Sequence, residues 1–309
     1  MNKKLKTVVI SGPTASGKTS LGVQVALALG GEIVNADSMQ VYRGMDIGTA
    51  KPTIEEQKGV QHHLLDVVNP DEEYNAAIYR GMALPLIEDI HSRGKMCLVV
   101  GGTGLYIKSL LCGLFKCPPA SPKLRESFER ECDILGTESL HERLKHLDPK
   151  SASKIHPNDR IRLIRAFEII HLTNRAPSEL SKEQGFRDKP INALMLCLQV
   201  NREQLYKRIN KRSVYMAEAG LAEETEKLLR QGYSIDLKPM KAIGYRHMIK
   251  YLKGDWPLNE AIRGIQRDTR RYAKRQLTWF RADPEATWVD PKDFDLILQK
   301  INDFSPRHA

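Results

Sequence analysis

Between a β-branched run, Thr7-Val8-Val9-Ile10, and a stretch of helical apolar spacing, Lys18 to Leu29, stands Gly12-Pro13-Thr14-Ala15-Ser16-Gly17-Lys18-Thr19. It matches G-x-x-x-x-G-K-[ST] at every specified position, with a strand before it and a helix after it that closes on Gly30-Gly31. Each residue type has its own reason. Gly12 and Gly17 permit backbone dihedrals that turn the loop's N–H groups inward, and the helix that follows presents a positive N-terminal dipole. Lys18 adds a full charge, and the Thr19 hydroxyl is a ligand suited to Mg²⁺. The setting favours a di- or triphosphate site over a glycine-rich structural turn.

This loop fixes the beginning of an α/β fold, and the rest of the chain continues it. Glu32-Ile33-Val34 reads as a second strand, Ala76 to His91 as a helix kinked at Pro85, and Met96-Cys97-Leu98-Val99-Val100 as a buried strand stopped by Gly101-Gly102. Apolar strands alternating with helices predict a parallel sheet flanked by helices, a P-loop NTPase-like core. From Phe115 to Pro190 no strand candidate occurs, and polar amphipathic helices follow one another between prolines. Asn192 to Val200 then returns as an apolar strand, and helices follow over Arg202 to Ala219, Leu221 to Gln231 and Leu258 to Phe280. The expected organisation is a P-loop core over 1–114 and 191–309, with an all-helical insertion domain over 115–190.

Composition excludes several classes. A chain of 309 residues buries a core without disulfide or metal staples, and 28% charged residues is close to the globular average. No apolar run approaches the roughly 20 residues of a membrane helix, and the N-terminus lacks a signal-peptide core, so a soluble, cytoplasmic protein is expected. The five cysteines, Cys97, Cys112, Cys117, Cys132 and Cys197, contain no C-x-x-C and read as thiols of a reducing compartment rather than zinc ligands. The formal charge of +10 is concentrated: Lys241 to Arg281 holds eleven Lys/Arg against three Asp/Glu. A local excess of this kind suggests a docking face for phosphates.

P-loop kinases and ATPases carry an Asp at the end of a second apolar strand to orient Mg²⁺. Here Met96 to Val100 ends in Gly101-Gly102-Thr103-Gly104. The missing Asp weakens a nucleotide-hydrolase reading and leaves room for a diphosphate that departs as a leaving group. An acid does stand just past the second strand, in Val34-Asn35-Ala36-Asp37-Ser38-Met39-Gln40. At that sheet edge Asp37 suits a metal ligand or general base, although an Asp there also caps turns. The following segment, Val41 to Pro52, has little core pattern and is better suited to lining a ligand than to packing.

These residues are recognisable. The loop from Gly12 to Thr19, Asp37-Ser38-Met39-Gln40, Tyr42 to Pro52 and Gly101-Gly102-Thr103-Gly104-Leu105-Tyr106 resemble the bacterial tRNA dimethylallyltransferases. So do His156 to Arg160 with Arg162 and Arg165, Ala242 to Arg246, and Arg275 to Arg281, which together span nearly the whole chain. The resemblance implies transfer of a dimethylallyl group from dimethylallyl diphosphate, with Mg²⁺, to N6 of the adenosine just 3′ of the tRNA anticodon. It implies Asp37 as the base that takes the N6 proton, with Lys18, Thr19 and Arg212 also catalytic and Thr19 as the metal ligand. The diphosphate would lie on Gly12, Pro13, Thr14, Ala15, Ser16, Gly17, Lys18 and Thr19. The tRNA anticodon stem-loop would meet Asp37, Ser38, Met39, Gln40, Thr103, Arg125, Ile161, Arg162, Leu163, Ile164, Arg165, Arg246, Arg267, Arg270 and Lys274. A monomer is expected.

Two helices read as RNA faces on their own pattern. Arg263, Arg267, Arg270, Lys274 and Arg281 share a narrow helical stripe, with Ile265, Tyr272, Gln276 and Phe280 broadly opposite. An all-cationic stripe differs from a solvated face of mixed sign and suits an RNA backbone. In the helix that Pro157 and Asp159 open, Ile161, Ile164 and Phe167 are expected inward, with Arg162 and Arg165 sharing a face. The insertion and the basic C-terminal helix are expected to hold the stem-loop while one base is extracted. His62-His63, His141 and His146 lack metal-ligand spacing, and Glu223, Glu224 and Glu226 read as a solvated helix face. The rivals are an adenylate isopentenyltransferase, a P-loop kinase of a small metabolite, and a non-catalytic RNA-binding module; the basic face, the absent strand-terminal Asp and the phosphate loop argue against them in turn.

Overall fold

The computed structural model describes residues 5–114, 117–119, 121–184 and 189–305. The chain divides into two compact units, Met1–Leu111 with Pro190–Ala309, and Cys112–Lys189. The start expected for the insertion, Phe115, lies outside the described residues.

The first unit opens with β1 (Leu5–Ser11), α1 (Lys18–Leu29), β2 (Glu32–Asn35), α2 (Ile54–Gln57), β3 (His62–His63), α3 (Ala76–Ser92), β4 (Cys97–Val100) and α4 (Gly104–Cys112). The helical unit holds α5 (Pro122–Leu147), α6 (Pro149–Ala152), α7 (Arg160–Thr173) and α8 (Pro177–Gln184). The first unit resumes with β5 (Ile191–Leu198), α9 (Arg202–Glu218), α10 (Leu221–Arg230), α11 (Tyr245–Leu252), α12 (Leu258–Arg281), β6 (Ala286–Val289) and α13 (Phe294–Phe304). Helix α3 is one continuous element through Pro85.

All six strands pair in parallel, in the order β3-β2-β4-β1-β5-β6. Val8, Val9 and Ile10 of β1 are fully buried, as are Leu98 and Val99 of β4 and Leu196 and Leu198 of β5. That two-sided burial explains the unbroken apolar runs, and each such side chain stabilises the fold by about 1.5–3 kcal/mol. The chain leaves β1 for β2, and β4 later fills the gap between them. Connection direction therefore reverses at β1, and a parallel sheet opens a ligand crevice at the carboxyl ends of the strands beside such a point. The segments after β1, β4 and β2 emerge there side by side: Gly101 N donates to Ile10 O (3.1 Å), Ala36 N to Val100 O (2.8 Å) and Thr103 N to Ala36 O (3.1 Å). Gly101 is obligatory, since a Cβ there would collide with the Ala36 backbone.

The helical unit has a core of its own, in which Leu140, Leu144, Leu163, Ile164 and Phe167 pack together. Glu168 is buried among them, accepting from Ser121 N, Arg125 Nε (3.3 Å) and Arg165 Nη1 (2.5 Å). Among the described residues, no helix is long and apolar enough to cross a membrane.

Candidate active site and nucleic-acid interface

The phosphate loop is built as its sequence requires. Gly17 holds φ 96° at the N-terminus of α1, and Ala15 also adopts a positive φ, 64°, so successive N–H groups curl toward one point. Thr14, Ala15, Gly17, Lys18 and Thr19 line a cavity of about 550 Å³. Gly12, Pro13 and Ser16 are buried behind the loop and do not line it, so their place is in shaping the loop rather than touching a ligand through side chains. Lys18 Nζ folds back to Pro13 O at 2.7 Å. Burial pushes its ammonium down to about 8; Asp37 opposes the shift and Arg212 adds to it.

Asp37 lies two residues beyond β2. Its Oδ1 accepts from Met39 N at 2.8 Å, so it does form a turn, while among the described residues Oδ2 carries no hydrogen bond. The turn is held from behind by Thr103, whose hydroxyl accepts from Ser38 N at 3.0 Å and is reached by Tyr272. Thr103 lines neither cavity at the site, and its hydroxyl supports the Asp37-Ser38 turn. Arg212, on α9, donates to Thr14 Oγ1 at 2.5 Å; burial lowers its pKa and Asp37 opposes the fall.

A second cavity, about 290 Å³, lies on the other side of these residues. Ser38, Met39, Tyr245, Arg246, Tyr272 and Arg275 line it, and it shares Thr14, Asp37, Thr49 and Arg212 with the first. Gln40 lines the first cavity and donates to Thr49 O (3.3 Å) and Ala50 O (3.0 Å), closing the segment that leads away from Asp37. That segment packs more than its pattern indicates: Val41, Tyr42 and Met45 are core, and only its end, from Gly48, faces the cavities. Its anchor is Glu224. The carboxylate accepts from Asp46 N (2.9 Å), Ile47 N (2.8 Å), Gly48 N (3.1 Å) and Tyr245 Oη (2.6 Å), which overturns its reading as part of a solvated helix face.

The family model for IPP transferase matches residues 40–283, and that for isopentenyl transferase matches 5–72. A tRNA dimethylallyltransferase of Geobacter sulfurreducens is 52% identical over 95% of both chains. The crystal structure of a tRNA isopentenylpyrophosphate transferase of Bacillus halodurans covers 98% of both chains with TM-score 0.72 and 42% identity. A eukaryotic dimethylallyltransferase acting on tRNA gives TM-score 0.77 and 30% identity over 97% of this chain and 76% of that one. The chain belongs to the IPP transferase family.

In this family member the basic helix α12 exposes Arg263, Arg267, Arg271, Lys274, Arg275 and Arg281. Its face is less purely cationic than its stripe suggests. Asp268 receives Arg246 (2.6 Å) and Arg267 (3.0 Å), together with buried His247 (3.1 Å). Burial favours the neutral acid, but these donors outweigh it and hold Asp268 well below the usual carboxylate range. Arg270 is half-buried and donates to Asn210 at 2.6 Å. Trp279, 42% exposed, packs on Gly104.

On α7 the candidates separate. Leu163 and Ile164 are buried in the helical unit's core and cannot reach RNA. Ile161, expected inward, is 83% exposed. Arg162 is exposed and pairs with Asp159 at 2.6 Å. Arg165 is instead committed to buried Glu168 and to Pro118 O (3.2 Å), and the exposed Arg125 pairs with the same carboxylate. Arg162 and Arg165 thus do not act as one face.

Proposed function

We propose that this enzyme transfers a dimethylallyl group from dimethylallyl diphosphate to N6 of the adenosine 3′-adjacent to the tRNA anticodon, releasing diphosphate, as a cytoplasmic monomer. The observation that carries the reading is the meeting of two cavities at Asp37, Thr14, Thr49 and Arg212. One is built around a phosphate loop; the other opens beside Arg246 and Arg275. Dimethylallyl diphosphate held on the loop by its phosphates presents the C1 carbon of its dimethylallyl group toward the shared wall, and a base extruded from the anticodon loop enters the second cavity, at a cost of a few kcal/mol for unstacking.

Adenine N6 is a weak nucleophile because its lone pair is delocalised into the ring. Asp37 Oδ2, which has no partner among the described residues, accepts a hydrogen bond from N6–H and takes the proton as the C1–N6 bond forms. The C1–O bond breaks with its electron pair going to diphosphate, whose charge is met by the loop N–H groups, Lys18 and Arg212. By analogy with single oxyanion donors, each is worth about 2–4 kcal/mol of barrier. Thr19 is the residue that would hold Mg²⁺: its hydroxyl faces the first cavity without a partner among the described residues, a hard oxygen ligand complementary to diphosphate oxygens. Bound there, Mg²⁺ would neutralise charge on the leaving group. The cationic faces of α12 and the exposed Arg162 supply the RNA-backbone contacts that a free nucleotide would not need.

The test is incubation with Mg²⁺, dimethylallyl diphosphate and unmodified tRNA, followed by digestion to nucleosides. Prenylated adenosine from tRNA and not from AMP is expected. Prenylation of AMP alone would make this an adenylate enzyme, and ATP-dependent phosphorylation of a metabolite would overturn the prenyl-transfer reading.

A further inference from the structure

Gln276 is buried on α12, on the side away from the basic stripe, and its carboxamide joins two loops. Oε1 accepts from Thr14 N at 2.8 Å, and Nε2 donates to Gly102 O at 2.8 Å. The fit is close, because a Cβ on Gly102 would run into Nε2. The two ends lead to the two halves of the site. Thr14 is the residue that Arg212 grips, and Gly102 precedes Thr103, whose hydroxyl holds the Asp37-Ser38 turn. Only a neutral carboxamide satisfies both partners. A carboxylate would set lone pairs against the Gly102 carbonyl and add negative charge beside the anion site, and an apolar side chain would leave the part-buried Thr14 N–H and the buried Gly102 C=O without that partner.

We infer that Gln276 is a positioning residue that ties the RNA-bearing helix to the phosphate loop, so that diphosphate and RNA each bind more tightly in the presence of the other. This rests on the reading of α12 as an RNA face. The physical basis is rigidity: α12 runs unbroken from Leu258 to Arg281, so settling its outer face on a phosphate backbone fixes the carboxamide on its inner face. The fixed carboxamide in turn fixes Thr14 N and Gly102 O. Reciprocity requires the same coupling factor in both directions.

The experiment measures binding of an unmodified anticodon stem-loop by anisotropy, with and without inorganic pyrophosphate and Mg²⁺, so that no turnover intervenes. In the wild type, pyrophosphate is expected to tighten RNA binding by about fivefold or more, the lower end of common coupling factors. Gln276→Met keeps side-chain length and removes both hydrogen bonds. It is expected to bind RNA alone within about twofold of wild type, to bind pyrophosphate more weakly, and to lose most of the coupling. Gln276→Glu retains the bond from Thr14 N and is expected to lose pyrophosphate affinity further through charge. Melting temperatures near wild type confirm folding, and kcat falling more than RNA affinity separates positioning from a loss of packing. Unchanged pyrophosphate affinity and coupling in Gln276→Met, or no coupling in the wild type, would overturn the inference. If wild-type enzyme fails to prenylate tRNA, the functional reading fails, while pyrophosphate affinity still reports whether Gln276 positions the loop.

Discussion

Raising the pH should weaken the donor site well before a lysine ordinarily loses its proton. Lys18 is pushed down to about 8, first by burial, with Arg212 adding and Asp37 opposing. Its distance from an ordinary lysine corresponds to roughly 3 kcal/mol, the penalty for holding that charge in a buried loop. The sign is that of a base with a lowered folded pKa. The penalty is fully present below about pH 8 and fades toward pH 10.5, where the unfolded chain also sheds its proton, so without diphosphate the fold gains stability across that window. Diphosphate reverses the preference, because its charge favours the ammonium. Above about pH 8 binding must therefore take up a proton, and affinity should fall by up to about tenfold per pH unit. Calorimetry with dimethylallyl diphosphate and no RNA, from about pH 7 to 9.5 in two buffers of different ionisation heat, reads both the slope and the proton. Lys18→Arg keeps its charge throughout and should flatten the slope. Flat wild-type affinity across this range, or no proton uptake near pH 9, refutes the reasoning.

Asp37→Asn retains the acceptor that forms the turn and removes the base; turnover should fall by about 10²–10⁴ while stem-loop affinity changes little, and near-normal turnover removes Asp37 from the role. Glu224→Ala frees three backbone N–H groups at the Asp46-Gly48 turn, so prenyl transfer should drop with a lower melting temperature, whereas Glu224→Gln should recover part of both; equal loss in the two variants would argue against an anchoring role. Arg165→Met strips one cation from buried Glu168 and should destabilise the helical unit by about 3 kcal/mol in urea, while Arg162→Met should leave stability intact and weaken RNA binding with a shallower salt dependence. The reverse pattern between these two arginines would refute the division of roles on α7.

What could be read from residue order, and what could not, follows from where each residue's partner lies. The phosphate loop was legible because its requirements are local: Gly17 needs a left-handed backbone and Lys18 and Thr19 open the helix next to it. The central strands were legible because burial on both faces leaves an apolar run. Strands β3 and β6 lie at the two ends of the sheet, and half-buried His62-His63 and Ala286-Thr287-Trp288 carry no such run. Glu224 escapes a pattern of side chains for a related reason. Its neighbours on α10 are acids, whereas its partners are main-chain N–H groups of residues 46–48, and no side-chain pattern marks a backbone donor. Gln276 fell on the apolar side of α12 because its two partners are likewise main-chain atoms, in the phosphate loop and after β4. The segment around Arg162 shows the converse error. A motif identifies a stretch of chain, but Leu163, Ile164 and Arg165 hold the helical core while Ile161 and Arg162 face outward, so motif membership and RNA contact are different properties. A site assigned by motif therefore needs a second condition for each residue: a polar atom facing the ligand, or a named hydrogen bond to an atom that does.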